Sequence, residues 1–368
     1  MSGGWSDMSS RRRWVGASTA IATVVLLLIT GCGGRPGTSV NGNSPAPAPS
    51  TAQTSTNSSG AATPSAPART ARTADPSATA TTSGKSEPDA SATPERPTGP
   101  PMLLDSIVPV DQSTVGVAMP IVIIFSTPVK GSARADIERA MKLTSSIPVT
   151  GAWHWFGHRQ VEFRPKGYWP VGDEVTLDAE FDHVGDGHGR YGTHSYVRRF
   201  TIGPDFETKI SVPHHTTKIY QDGKLVKTLL SDAGSPEFPS WEGTMAVVGT
   251  VRNQHMTSCS AGITCDKHSP NYYDGWYPWA VRLTYSGTFV HYSSADPQPG
   301  SGNGSHGCVH LSWADAKWYY RHVSIGDPVT ITGSGRGQAS ADNGYAVYNL
   351  SWSEWQHESG RGAFTTQS

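Results

Sequence analysis

Downstream of about residue 103, apolar and polar positions alternate with the two-residue period of strands that bury one face. The stretch IVIIFSTPV (121–129) reads as a strand halted by Pro128, and QVEFRP (160–165) alternates. DEVTLDAEF (173–181) alternates again and sets Val175, Leu177, Ala179 and Phe181 on one face. Short strands broken by Gly and Pro predict an antiparallel sandwich over 101–204. One amphipathic stretch, ARADIERAMKL (133–143), interrupts them as a short helix. No catalytic side chains gather in this segment. His154, His158, His183 and His188 are scattered among Trp, Gly and Asp and are expected in turns or at the surface.

A second module follows over 205–333. TKIYQDGKLVKTL (217–229) has the form of a hairpin, in which Asp222-Gly223 supplies the positive φ that a tight turn requires. TMAVVGTV (244–251) reads as one strand, and WAVRLTYSGTFVHY (279–292) as two strands around a Ser286-Gly287 turn. Between them, 253–278 reads as a long loop rich in Tyr, Trp, Ser and His, the length at which loops serve as lids. LSWADAKWYYRHV (311–323) predicts a helix with Ser312 as N-cap and Asp315 completing a capping box, and DPVTIT (327–332) a closing strand. In the tail, 334–368, Tyr345, Tyr348, Trp352 and Trp355 recur at helix-like spacing, a stripe expected to pack on the neighbouring module, 205–333, as a small aromatic subdomain.

The N-terminal hundred residues have no such pattern. Arg11 to Arg13, a short apolar run from Val15 to Ile29 and the small pair Thr30-Gly31 form an export signal over 1–31. As a retained membrane span the run is short of the ~20 residues needed. LLLITGC (26–32) resembles a bacterial lipoprotein cleavage box, which implies lipidation of Cys32 and attachment to the outer face of the cytoplasmic membrane. Residues 32–100 are nearly all Ser, Thr, Ala, Pro and Gly, cannot bury a core, and are expected to be a disordered tether reaching into the cell wall. A net charge of -1 over 368 residues carries no bulk basic character and excludes nucleic acid as the first partner to consider.

Cysteine usage then narrows the chemistry. Cys259 and Cys265, in TSCSAGITCDK, are spaced to close a small polar loop as a disulfide. No second Cys or His pair follows them at zinc-finger spacing. Cys308 is left unpaired in GNGSHGCVHLS (302–312). Three readings of it stand at this point: a nucleophile made reactive by an imidazole, a zinc ligand together with His306 and His310, or a buried structural thiol. The run of Ser, Gly and His argues against the buried thiol. The absence of a neighbouring Glu argues against catalytic zinc, and neither a metal nor another cofactor is expected.

His291 followed by Ser305-His306-Gly307-Cys308-Val309-His310 resembles the signature of bacterial L,D-transpeptidases, which is a histidine, a spacer, then Ser/Thr-His-Gly-Cys-apolar-Asn. The spacer is slightly short, and His310 stands where asparagine is usual. The resemblance spans about 206–333 and, with a sandwich before it and an aromatic tail after it, looks like the mycobacterial layout. It implies a mainly β chain in which an immunoglobulin-like domain precedes the catalytic domain. It also implies Cys308 as nucleophile, His291 as general base and acid oriented by the Tyr292 carbonyl, and Gly307 and Cys308 as donors of oxyanion-hole amides. Ser305 and His306 would shape the site, Tyr273, Ser286 and Gly287 would contact substrate, and the residue at His310 would contact substrate or support the site. The implied substrates are peptidoglycan stem tetrapeptides joined as 3→3 cross-links, and the implied inhibitors are carbapenem-type β-lactams. Water or a protein amine at the same site would instead make the protein a carboxypeptidase or a ligase. A non-catalytic wall-binding lipoprotein is the alternative of a different class, encouraged by His310 alone.

Overall fold

A computed structural model describes residues 98–367; the export segment, Cys32 and nearly all of the tether lie outside the described residues. Two sheets make the first module. Leu104–Val108, Ile121–Phe125, Gln160–Pro165 and Thr150–Phe156 form one face, and Ser113–Val115, Tyr196–Ile202, Glu174–Ala179 and Met141–Ser145 the other. Their inner faces share one core of Phe125, Trp153, Trp155, Phe163, Val175, Leu177 and Phe200, so the sandwich follows from the alternation in each strand. The helix Arg134–Ala140 ends earlier than the amphipathic pattern, because Met141–Ser145 is taken into the second sheet opposite Glu174–Ala179.

His158, His183 and His188 are exposed, but His154 is not. It lies mid-strand, its Nδ1 is 2.8 Å from the Trp355 carbonyl, and its ring stacks on the Trp355 indole at 4.6 Å. A partner 201 residues away covers it, which no local pattern could announce. The tail, expected against the catalytic module, straps both modules. Phe364–Thr365 adds a fifth strand beside Thr150–Phe156, and Trp355 Nε1 donates to Ala152 O at 2.9 Å. On the other side, Asn349 Oδ1 accepts the Thr244 N–H at 2.7 Å and Tyr345 pairs with Ala246. Of the aromatic stripe, Trp352 and Trp355 belong to the helix Trp352–His357, while Tyr348 sits in the 3-10 turn Val347–Asn349. The two modules also meet directly, through Gly116 N–H to Ile325 O at 2.8 Å and Ala118 N–H to Gly326 O at 3.0 Å. A Cβ on Gly116 would come within 2.2 Å of Asp327 Oδ1, so this junction requires glycine.

Glu162 carries a pH-dependent cost in the sandwich. Burial pushes its carboxyl up to about 8; Oε1 accepts from Gln160 at 2.6 Å, and Oε2 has no partner. With the folded pKa above the unfolded one, its contribution to stability is complete below the ordinary carboxylate value and is lost as pH rises toward 8. The Glu162→Gln variant should lose this dependence and gain on the order of 3 kcal/mol over wild type between pH 5 and 7. Thermal midpoints measured across that range check it, and parallel curves for the two proteins would count against it.

The second module is a nine-stranded sheet. In spatial order it runs Gly243–Ala246, Pro328–Thr332, Phe206–Ser211, Thr216–Gln221, Lys224–Asp232, Val309–Leu311, Phe289–Tyr292, Asp274–Arg282 and Gly249–Thr257. Asp222 and Gly223 take φ of 50 and 75 in the first hairpin. The stretch TMAVVGTV is not one strand. It breaks at Val247-Val248, because Gly243–Ala246 pairs with Pro328–Thr332 whereas Gly249–Thr257 pairs with Asp274–Arg282. That second pairing also claims both ends of the expected 253–278 loop, and leaves 258–273 as the tip of a long hairpin. Cys259 and Cys265 are bonded to each other in this tip. In the helix Trp313–His322, Ser312 Oγ accepts the Asp315 N–H at 3.2 Å but donates to the Asp315 carboxylate at 2.7 Å, so the reciprocal half of the capping box is replaced.

Candidate active site

Cys308 immediately precedes the strand Val309–Leu311, which runs parallel to Phe289–Tyr292 with His291 opposite His310. Residues two apart on a strand share a face, so Cys308 and His310 project to the side that carries the His291 ring. Packing fixes the imidazole there: Tyr277 and His310 both sit edge-on to His291 at 4.9 Å.

His291 is buried, and its Nδ1 is 2.8 Å from the Tyr292 carbonyl. A carbonyl only accepts, so Nδ1 carries the proton and Nε2 keeps the lone pair of a base. Burial, reinforced by nearby His310, holds the ring down to about 3 against the opposing pull of the Tyr292 bond. Burial likewise pushes the Cys308 thiol up to about 11, only partly offset by a backbone hydrogen bond at Phe289. Its Sγ lies 3.5 Å from Gly287 O. At rest, then, the thiol and the imidazole are both neutral, and the hydrogen-bond partner of the thiol is the Gly287 carbonyl.

Next to Gly307, which precedes the thiol, and Gly287, whose carbonyl meets it, a cleft of about 230 Å³ is also walled by Tyr273, Ser286, His306 and Arg336. The His306 ring leans on Phe238 at 4.8 Å and on Tyr273 at 5.1 Å, which makes it a wall of the cleft. Arg336 comes from the tail. Its Nη1 donates to Pro239 O at 2.9 Å and its guanidinium lies 3.8 Å from the centroid of Trp241. Gly307 has φ of 110, which a side chain would strain. Its N–H, expected to be free for an oxyanion, is engaged by Ser305 Oγ at 3.1 Å, while the same hydroxyl donates to Cys308 O at 2.5 Å. An oxyanion gains that amide only by displacing the hydroxyl.

His310, expected to contact substrate or support the site, is buried and does not line that cleft. Its ring centroid is 4.9 Å from that of His291, and its Nδ1 is 3.0 Å from Asp296 Oδ2. Burial lowers its pKa to about 4. The one-to-one register of the two strands places it against His291, where it can support the imidazole. Of Tyr292, only the carbonyl serves the site; its ring turns away and packs on Trp313.

Sequence reasoning missed Asp232. Its carboxylate accepts the N–H groups of Gly300 at 2.9 Å, Ser301 at 3.4 Å and Gly302 at 3.1 Å, and His215 Nδ1 at 2.5 Å. Burial alone would raise its pKa, but these bonds outweigh burial and lower it. Asn303 continues the brace by accepting the Ala233 N–H at 2.8 Å. The glycine-rich run that delivers Cys308 is therefore tied to the end of Lys224–Asp232. The acidic end of that strand offers no local signal, because its partners lie 68 to 70 residues on. Among the described residues no cluster of three or more His, Cys, Asp or Glu side chains is grouped to hold a metal ion.

A mainly β protein with a cysteine and a tautomer-fixed histidine on adjacent parallel strands is the class that the fold and site define. The bacterial Ig domain family matches residues 49–185, and the L,D-transpeptidase catalytic domain family matches 207–331. L,D-transpeptidase 2 of Mycobacterium tuberculosis is 32% identical over 255 residues, covering 68% of this chain and 60% of that protein. This chain thus aligns with less than two thirds of that relative's length. Probable L,D-transpeptidase 3 of the same species is 34% identical over 239 residues, covering 61% of this chain and 85% of that protein. Among solved structures, LD transpeptidase LdtMt1 in complex with imipenem superposes with a TM-score of 0.54 at 29% identity, over 63% of this chain and 100% of that one. L,D-transpeptidase 3 from Mycobacterium tuberculosis in complex with a faropenem-derived adduct gives 0.51 at 32%, over 62% and 98%. The chain belongs to the L,D-transpeptidase family.

Proposed function

We propose that the protein forms 3→3 cross-links between peptidoglycan stem peptides through a thioester on Cys308. The observation that carries this reading is the fixed tautomer of His291 on the strand beside the thiol, which leaves Nε2 as the base. With the thiol near 11 and the imidazole near 3, a standing thiolate–imidazolium pair is disfavoured, so the proton leaves as the carbon–sulfur bond forms. Cys308 Sγ attacks the carbonyl of the third residue of a donor tetrapeptide, and its proton passes to His291 Nε2. The tetrahedral intermediate collapses, His291 returns the proton to the departing amine of the terminal D-alanine, and a thioester remains. The side-chain amine of a second stem then attacks, gives a proton to His291, and releases the free thiol as the peptide bond forms.

Water in the second half would yield a carboxypeptidase, and a protein amine a ligase. The open cleft, whose hydrogen-bonding wall carries both an anion, Glu237, and a cation, Arg336, suits a polar peptide. An exported protein, lipidated on Cys32 and held at the outer membrane face by its tether, would meet that substrate. The test incubates the protein with tetrapeptide donor or with imipenem and reads the intact mass. The expected adduct equals the donor less D-alanine, or the whole carbapenem, and maps to Cys308; a folded protein left unmodified by both would overturn the reading. Product masses with a second stem present separate cross-link, hydrolysis and ligation.

A further inference from the structure

A second concavity lies behind the strands of the active site. Trp276 and Tyr292 are chain neighbours of Tyr277 and His291, so the pleat turns them to the opposite face. There, with Trp279, Trp313, Arg252 and Asn253, they line a groove of about 460 Å³, within the ~300–1,000 Å³ typical of ligand sites. Trp276 is 65% exposed and Trp313 49%, so two large indole faces stand in water on the rim. Trp279, at the base, is only 9% exposed, and its indole N–H has no partner. Arg252 and Lys317 place cations 5.7 Å and 5.6 Å from that ring. Apart from Pro278, the lining contains no aliphatic side chain.

We propose that this groove binds the glycan strand of peptidoglycan, a chain of N-acetylated amino sugars; the inference rests on the reading of the active site given above. Pyranose rings present C–H faces that stack on indoles, while their hydroxyl and acetamide oxygens are acceptors for the exposed Arg252 and Asn253. Tyr292 joins the two sites: its carbonyl holds His291 and its ring lines the groove. A glycan held there keeps its stem peptides at high local concentration beside the cleft.

The test titrates the purified chain with chitotetraose, four linked N-acetylglucosamine units, and follows tryptophan fluorescence and heat. Saturable binding is expected, weakened about tenfold or more in Trp276→Ala and in Arg252→Ala. Both side chains are exposed, and unchanged thermal midpoints will show that the variants fold. No saturable binding, or equal affinity in wild type and both variants, would overturn the proposal. Because the measurement needs no turnover, chitotetraose binding by a protein whose Cys308 never acylates removes the cross-linking reading alone, and acylation without binding removes this one alone.

Discussion

Replacing His291 with glutamine should slow acylation of Cys308 by about 10²–10⁴-fold, the range that a positioned general base contributes. The size follows from the resting state. Burial holds the thiol near 11, so no appreciable thiolate exists at neutral pH, and no other imidazole is both fixed in tautomer by the Tyr292 carbonyl and packed on the strand beside the sulfur. A glutamine keeps much of the ring's volume but has no basic nitrogen, so the thermal midpoint should move far less than the rate. The base works only when unprotonated, and its folded pKa is about 3. In wild type the acylation rate should therefore hold level from neutral pH down to about 5 and decline only as pH nears that value, provided the fold survives. Stopped-flow acylation by imipenem across pH measures both claims. A midpoint near 6.5, or a variant within tenfold of wild type, would reject this assignment of the base.

Asp232→Ala should damage stability and rate together. The substitution strips the acceptor from three backbone N–H groups and from His215, in a carboxylate that is itself buried. Removing one side of a buried, charged network costs about 3–5 kcal/mol. The freed run 300–304 leads directly into Cys308, and small misplacements of a reacting group cost on the order of 100-fold in rate. His215→Ala leaves the carboxylate its three N–H donors and should cost much less. The depressed pKa of Asp232 means that its contribution is present above the ordinary carboxylate value and is lost as pH falls through the folded one, so the gap between Asp232→Ala and wild type should close in acid. Urea unfolding at pH 7 and at pH 3 tests the sign; a gap that widens in acid would show that the carboxylate is not the stabilising form.

The sequence by itself determined what is local. Period-two alternation placed the strands that carry Val175, Leu177 and Ala179, Asp222-Gly223 placed a hairpin, and Ser312 started a helix, because each depends on residues within a few positions of one another. The resemblance of His291 and Ser305-His306-Gly307-Cys308 to a family signature implied one kind of chemistry among the three that the residues alone left open. Tertiary structure decided whatever depends on partners far along the chain. Parallel pairing set His310 directly beside His291. Separate partners split TMAVVGTV and shortened the loop after it. The Trp355 strap buried His154, and Asp232 reached across to the glycines. Each of these is a hydrogen bond or a packed face between segments tens to hundreds of residues apart. Alternation along a strand fixes which face a side chain takes, but it carries no information about which strand arrives beside it.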